Sequence, residues 1–296
     1  MDVRQLAYVV AVVDHGTFTA AAEACHVTQP ALSQGIAALE RELGVELFHR
    51  VRRGVVLTAA GEALLGPART AAGAIRAAHD AVAAVRGVMS GTLDLVTLPT
   101  LAAAPTAELV GAFRRAHPGV AVRMAQSEDP ATAAEAVASG EVEIAVTELD
   151  RAVDDLVAVE IGTQQYSAVL PPGTRRRRQI GIESLAAMPL VATPPGTSTR
   201  RHLDDACAAA GVEPEIVVET AQREALVPLV TAGAGAALLP EAQAAQAAAH
   251  GAVVARVAPV VARRVGVLHR RAALGPAAAA MVAMVRSGPG SGAALG

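Results

Sequence analysis

The sequence predicts an α/β protein with a small all-α head, one long connecting helix and a two-part α/β body. Three observations predict it. Over the first sixty residues, apolar positions recur at helical spacing and give way to a short basic hairpin. Residues 59 to 89 carry apolar side chains in rows seven apart. From Gly91 onward, short strand patterns alternate with helical ones as far as residue 286.

Composition narrows the function before any motif is considered. The chain has 296 residues, 52% hydrophobic and 18% charged, with net charge −3, which fits a soluble globular protein rather than a disordered one. Aromatics are only 2%, so the cores must be built from Ala, Val and Leu. All the basic residues are Arg, and the lack of lysine excludes a phosphate loop of the Walker type and any Schiff-base enzyme. Cys25 and Cys207 make neither a disulfide framework nor a metal cluster, and the eight histidines show no ligand spacing. Cys25 continues an apolar helix face and reads as a buried small hydrophobe. No secretion signal and no apolar run long enough for a membrane are visible, so the expected location is the cytoplasm, with no membrane partner and no cofactor.

In the head, Leu6, Val9, Val10 and Val13 fall on one helix face, and Asp14, His15 and Gly16 end that helix. Phe18, Ala21, Ala22 and Cys25 repeat the spacing. After a break at His26-Val27, Thr28 can cap a third helix, whose stripe is Leu32, Ile36, Leu39 and Leu43. Pro30 is tolerated in the first turn, where N–H groups have no intrahelical partner. Three short helices with a tight turn before the third read as helix-turn-helix. In that motif the third helix enters the major groove N-terminus first. ELFHRVRRGVVLT then gives two strands with a basic tip, a wing, carrying His49, Arg50, Arg52 and Arg53. Alone, the Arg cluster reads as a solvated turn; beside this motif it reads as a phosphate contact. The candidate DNA contacts are Thr28, Gln29, Pro30, Ser33, Gln34, Arg50, Arg52 and Arg53.

Residues 18 to 65, FTAAAEACHVTQPALSQGIAALERELGVELFHRVRRGVVLTAAGEALL, resemble without a gap the N-terminal domain of LysR-type transcriptional regulators. Phe18, Ala21, Ala22, Thr28, Gln29, Pro30, Ser33, Leu39, Gly44, Phe48, Arg50, Thr58 and Glu62 carry the resemblance. It implies a winged helix-turn-helix, a linker helix and an effector-binding domain similar to type 2 periplasmic binding proteins. Members often place Arg or Lys along the third helix, where this chain has Gln34, Gly35, Ala37 and Ala38. Residues 1 to 90 hold eight Arg and eight acids, so DNA affinity is expected to depend on the wing and on dimerisation.

Thr58 can cap the connecting helix, with Glu62 near its positive end, while Pro67 is expected to bend its first turns. Leu64, Ala71, Ala78 and Val85 form one row, and Ala68, Ile75, Val82 and Met89 the other. Such rows could pack on their own domain. Over about four heptads they read instead as a coiled-coil seam between subunits, in a homodimer or homotetramer. The resemblance implies the same, and a two-fold dimer implies a roughly palindromic double-stranded operator, with RNA polymerase as a further partner.

The body shows strand patterns at TLDLVTL, VAVRMA, VEIAV, 156 to 160, 165 to 170, LVAT, EIVVE, AALLP, VVAR and RRVGVLHR. Helices are expected over 103 to 117, 130 to 139, 198 to 210, 222 to 232, up to about 249, and 276 to 286. The expected division is 1–58 head, 59–89 linker and 90–296 effector-binding domain. Its first subdomain would take about 91–161 and 265–286, its second about 162–264, and 287–296 would be a flexible tail.

In such sheets ligands lie beyond strand C-termini and against helix N-termini. The effector candidates are therefore Thr100, Leu101, Gln126, Ser127, Thr147, Thr197, Ser198, Thr199, Thr220 and Gln222. Singly, the Thr and Ser residues read as helix caps; as a group in a two-lobed fold they read as a site for a small polar or anionic metabolite. Some relatives that respond to aromatic acids place Arg just after the strand matching VEIAV. This chain has Thr147-Glu148 there, and Arg200 and Arg201 are the alternative positive charges. The RRRR run at 175 to 178 reads as a solvated loop. The expected function is transcription regulation through an effector-biased DNA-binding head. A redox-sensing regulator of the same architecture and a cytoplasmic solute-binding receptor are the alternatives. No nucleophile elbow, triad-like cluster or metal spacing points to an enzyme.

Overall fold

Asp2 and Gln5 exchange side-chain and backbone bonds in a capping box that starts α1 (Val3–His15), and Gly16, at φ 72°, ends it. Thr17 caps α2 (Phe18–Ala24). Thr28 caps α3 (Gln29–Leu43), which stops at Gly44 with φ 73°. β1 (Phe48–Val51) and β2 (Gly54–Leu57) form the antiparallel hairpin, and α4 (Ala59–Val85) runs on through Pro67. The computed structural model describes residues 1–51, 54–85, 89–149, 155–271 and 274–288. Arg52, Arg53 and residues 289–296 of the expected tail lie outside the described residues, as do the side chains of Arg50 and Val85.

The apolar stripes of α1, α2 and α3 meet in one core with Leu6, Val9, Val12, Leu32, Ile36 and Leu39, closed by Phe48 from the hairpin. Gly35 has a packing reason to stand in α3. A Cβ there would lie 2.8 and 2.9 Å from ring atoms of Tyr8, itself buried. Gly35→Ala should therefore destabilise the chain by about 1–2 kcal/mol, because overpacking outweighs the roughly 1 kcal/mol of helix propensity gained. A urea melt showing a more stable variant would mean that the Tyr8 ring moves freely.

Part of the expected seam belongs to the head. Ala68 is fully buried in the head core, and Leu64 and Ala71 pack against it, because the first turns of α4 lie across α1. Further along, Ile75 and Val82 are 41% and 66% exposed, and Ala78 is exposed. Arg69 joins the head to the body, with its guanidinium 2.7 Å from Asp14 and 3.1 Å from Glu141.

The body contains β3 (Gly91–Thr97), α5 (Pro99–Leu101), α6 (Ala107–Ala116), β4 (Val120–Gln126), α7 (Pro130–Ala138), β5 (Ile144–Glu148) and β6 (Leu156–Leu170). Next come β7 (Gln179–Gly181), α8 (Ile182–Ala186), β8 (Leu190–Ala192), α9 (Ser198–Ala209), β9 (Ile216–Glu219) and α10 (Leu226–Thr231). It closes with β10 (Ala237–Pro240), α11 (Glu241–Ala249), β11 (Val253–Ala258), β12 (Ala262–Arg270) and α12 (Pro276–Ser287). Among the described residues, one sheet runs β4-β3-β5-β12-β6-β11-β7, with β10 also on β6, and β8 pairs with β9.

Two lobes share that sheet. In the first, alternate residues of β3, β5 and β12 face opposite ways. Leu95, Val146 and Val267 pack with Phe113 and Met281, while Val96, Ala145 and Leu268 pack with α7. In the second, Ala168 and Leu238 meet α8 and α9, and Val169 and Leu239 meet α10 and α11. β6 and β12 run between the lobes. The first part of β6 pairs with β12, and from Tyr166 onward it pairs with β10 and β11.

Several expectations differ in detail. The helix expected over 103 to 117 is α5, a π-helical stretch Ala102–Thr106 and then α6, because Pro105 interrupts the hydrogen-bond ladder. The two strands expected at 156 to 160 and 165 to 170 are the single strand β6; a bulge at Val265/Gly266 lets it stay paired with β12. The helix expected over 222 to 232 starts as a 3-10 turn, Arg223–Ala225. β7 and α8 carried too few residues to give a pattern.

Candidate nucleic-acid interface and effector cleft

With its apolar stripe buried, α3 turns Thr28, Gln29, Pro30 and Gln34 to solvent, with Ser33 half-buried. Thr28 spends its hydroxyl on the cap, 3.4 Å from the Ala31 amide. Gln29 Nε2 donates to Ser33 Oγ at 2.8 Å, so the two side chains hold each other across one turn. The leading turn therefore presents an oriented amide and a hydroxyl, groups suited to base edges. On the wing, His49 is exposed beside this surface's hairpin strand.

The C-terminal ends of the parallel strands β3, β4 and β5 open on one edge of the first lobe, facing the N-terminus of α9 on the second. Arg263, on β12, is buried there at 1% exposure, and all five of its N–H donors are used. Nε and one Nη bond Gln164 Oε1 at 2.9 and 2.6 Å, and that same Nη bonds Thr100 Oγ1 at 2.6 Å. The other Nη bonds Glu148 Oε1 at 2.6 Å and Ser198 Oγ at 2.8 Å.

Glu148 is the counter-charge, with its side chain 1% exposed. Its carboxylate also accepts from Ser198 and Arg201, and His202 Nε2 lies 3.1 Å from Oε1. Burial alone would raise its pKa, but the His202 hydrogen bond, the charges of Arg263 and His202 and the Ser198 hydroxyl together bring it down to about 2. Tyr166 lies under the Arg263 guanidinium, 5.4 Å from CZ to ring centre, and against His202 with centroids 4.9 Å apart. Burial pushes the Tyr166 phenol up, so it stays protonated.

A depressed folded-state value means that Glu148 adds stability above its ordinary pKa of 4.5 and loses it as pH falls through about 2. The differential is on the order of 3 kcal/mol. The stability gap between the wild-type chain and Glu148→Gln should therefore be flat above about pH 5 and shrink below it. Urea melts at stepped pH read this directly, and a gap that stays constant down to the acid limit would detach Glu148 from its cations.

Around this network the two lips carry opposite charge. On the first lobe, Glu128 and Asp129 join Glu148; on the second, Arg223 pairs with Glu128, and Arg201 lies 3.4 Å from Asp129. The Ser198 amide bonds the Glu128 carbonyl at 3.3 Å. Among the described residues, the buried hydroxyls of Thr147, Tyr166 and Thr199 have no hydrogen-bond partner.

The structure sorts the ten effector candidates. Thr100 and Ser198 bind Arg263, and Thr199 is buried beside them in the first turn of α9. Ser127 bonds the Asp129 carbonyl and shapes the lip. Thr197 caps α9 and bonds Thr193 at 2.7 Å, which is the capping role. Leu101 corrects the expectation, because it lies in the first lobe's core at 0% exposure. Thr147 is corrected too, since strand alternation turns it away from the face that carries Glu148. Thr220 bonds the Gln222 amide locally, and Gln222 and Gln126 are exposed without joining the network. Arg201 lies at the cleft, paired with Glu148 and Asp129, whereas Arg200 pairs with Asp204 and Glu219. Glu148, Gln164, Tyr166, His202 and Arg263 were missed. For Glu148, Gln164, Tyr166 and Arg263 the signal was a polar side chain within a strand, whereas His202 sits one turn into α9.

A winged helical head joined by one long helix to a two-lobed body that closes over a polar cleft defines a regulator with a reading head and a sensing body. Comparison with known proteins agrees. Residues 3–62 match the family model for bacterial regulatory helix-turn-helix proteins of the lysR family, and residues 86–289 match the LysR substrate binding domain. The chain belongs to the LysR family and is a DNA-binding transcriptional regulator with an effector-binding domain.

Among its relatives, the HTH-type transcriptional regulator TfdT of Cupriavidus pinatubonensis is 36% identical over 66% of this chain and 86% of that protein. IlvR of Caulobacter vibrioides is 32% identical over 81% of this chain and 82% of its own length. Full-length CbnR in complex with its target DNA is 25% identical, with TM-score 0.65 over 97% of this chain and 99% of that one. A full-length OxyR from Pseudomonas aeruginosa, at 23% identity, shares the fold with TM-score 0.81 over 97% and 95% of the two chains. These relatives are regulators rather than enzymes. Among the described residues, no helix is long and apolar enough to cross a membrane.

Proposed function

We propose that the leading turn of α3 reads base edges through Gln29, Ser33 and Gln34, with Thr28 and the wing arginines positioning it on phosphates and Pro30 offering an apolar contact beside them. The single observation that supports this is the Gln29–Ser33 bond on an exposed turn whose opposite face is buried. Two copies pair through the exposed part of α4, at Ile75, Ala78 and Val82, so the operator is roughly palindromic. The cleft around Arg263 takes a small molecule, and its occupancy biases the arrangement of the paired heads. The protein acts in the cytoplasm and catalyses no reaction of its own.

Gln29→Ala and Ser33→Ala should each lose about 1–3 kcal/mol of discrimination between operator and random DNA. The double variant should lose less than the sum, because the two side chains act as one unit. Titrations with both DNAs measure this; equal losses on each would make both residues phosphate contacts. A redox sensor built on the chain's own thiols has little support. Cys25 ends α2 and Cys207 lies in α9, and burial pushes both thiols up, away from the reactive thiolate.

A further inference from the structure

The cleft holds its own ligand-like charges. Glu148 reaches from the end of β5 to the first turn of α9 and occupies Ser198, Arg201 and His202, while Arg263 has no donor to spare. The acids Glu128, Asp129 and Glu148 stand on one lip, and Arg201, Arg223 and His202 on the other. Any molecule that parts the lips breaks these pairs and exposes both sets at once. A simple carboxylate would satisfy the arginines and stand against Glu148. A simple amine would satisfy the acids and stand against Arg263. Only a molecule with both signs of charge replaces the broken pairs on each lip. Two buried hydroxyls in this region, Tyr166 OH and Thr199 Oγ1, have no partner among the described residues, so the region has hydrogen-bonding capacity that the closed cleft does not use.

We infer that the effector is a small zwitterion of the amino-acid kind, its ammonium facing Glu148 and Asp129 and its carboxylate facing Arg201 and Ser198. This rests on the cleft being the effector site. Glu148 is then the residue that sets specificity, since it is the buried carboxylate that excludes plain acids.

The test uses the full chain and calorimetric titration with matched trios. Each of alanine, leucine, serine and phenylalanine, whose side chains carry no charge, is compared with its deaminated acid and its decarboxylated amine. The expected result is at least one amino acid bound about tenfold or more tighter than both analogues. In Glu148→Gln, the preference over the deaminated acid should collapse to within about threefold. Asp129→Asn, on the half-exposed rim, repeats the measurement should the buried variant fold poorly. An acid or amine that binds as tightly as its amino acid, with affinities altered by these variants, overturns the zwitterion and leaves the cleft as the site. Affinities that none of the variants alter, Ser198→Ala included, overturn the cleft reading itself. Absence of binding by every amino acid also counts against the inference.

Discussion

Arg263→Ala should lower the unfolding free energy by about 3–5 kcal/mol, the largest single loss expected anywhere in the body. The substitution takes a fully buried guanidinium from beside a buried carboxylate and leaves Gln164, Thr100 and Ser198 without a shared partner. Arg201 and His202 still face Glu148, so the carboxylate keeps part of its compensation. The neighbouring position provides the control. Arg264 points to the opposite face of β12, and its pair with Glu160 is 58% and 42% exposed, so Arg264→Ala should cost under about 1 kcal/mol. Urea unfolding of both variants decides the matter; equal, small losses would mean that the cleft network does not hold the lobes.

Ile75→Asp should abolish dimers at micromolar concentration and weaken operator binding by about 10²-fold or more. The side chain is 41% exposed in this chain and lies seven residues before Val82, so on the proposed pairing the charge falls in the seam rather than in a buried core. Once the pair is lost, each half-site must be found independently, and the effective concentration of the second head disappears. Sedimentation velocity reads the first effect and titration against operator DNA the second. Intact dimers would move the seam off this face of α4. Ala68→Asp would be a poor substitute, because Ala68 lies inside the head and its loss would unfold the reader.

The head was legible because its information is local. Helical spacing, the caps Thr17 and Thr28 and the stops Gly16 and Gly44 each act within a few residues, and they sit where the pattern put them. Strand and helix alternation in the body was legible for the same reason. The cleft was not. Arg263 and Glu148 are 115 residues apart, and nothing within either strand signals that the other exists. Helix-start chemistry directed attention to Thr197, Leu101 and Thr220, which serve as a cap, a core residue and a local turn. It did reach Thr100 and Ser198, whereas Glu148, Gln164, Tyr166 and Arg263 are single polar residues in strands and His202 a residue of α9, brought together only by the packing of one lobe on the other. The heptad rows of α4 did not reveal that their first part packs on the head, because a heptad row does not say whether its neighbour belongs to the same chain. Ala68 and Ile75 sit in one row and have opposite surroundings.

Among the described residues, β6 and β12 alone carry the main chain from one lobe to the other, and they do so side by side, with Arg263 opposite Gln164 and Ala262 opposite Gln165. A body tied at two adjacent threads can swing about them but cannot slide apart. Arg263 and Gln164 thus form the axle rather than a point on the rim. A change beside this guanidinium acts where travel is smallest and gearing is highest, so a slight shift at the centre becomes a wide sweep at the outer ends of both halves.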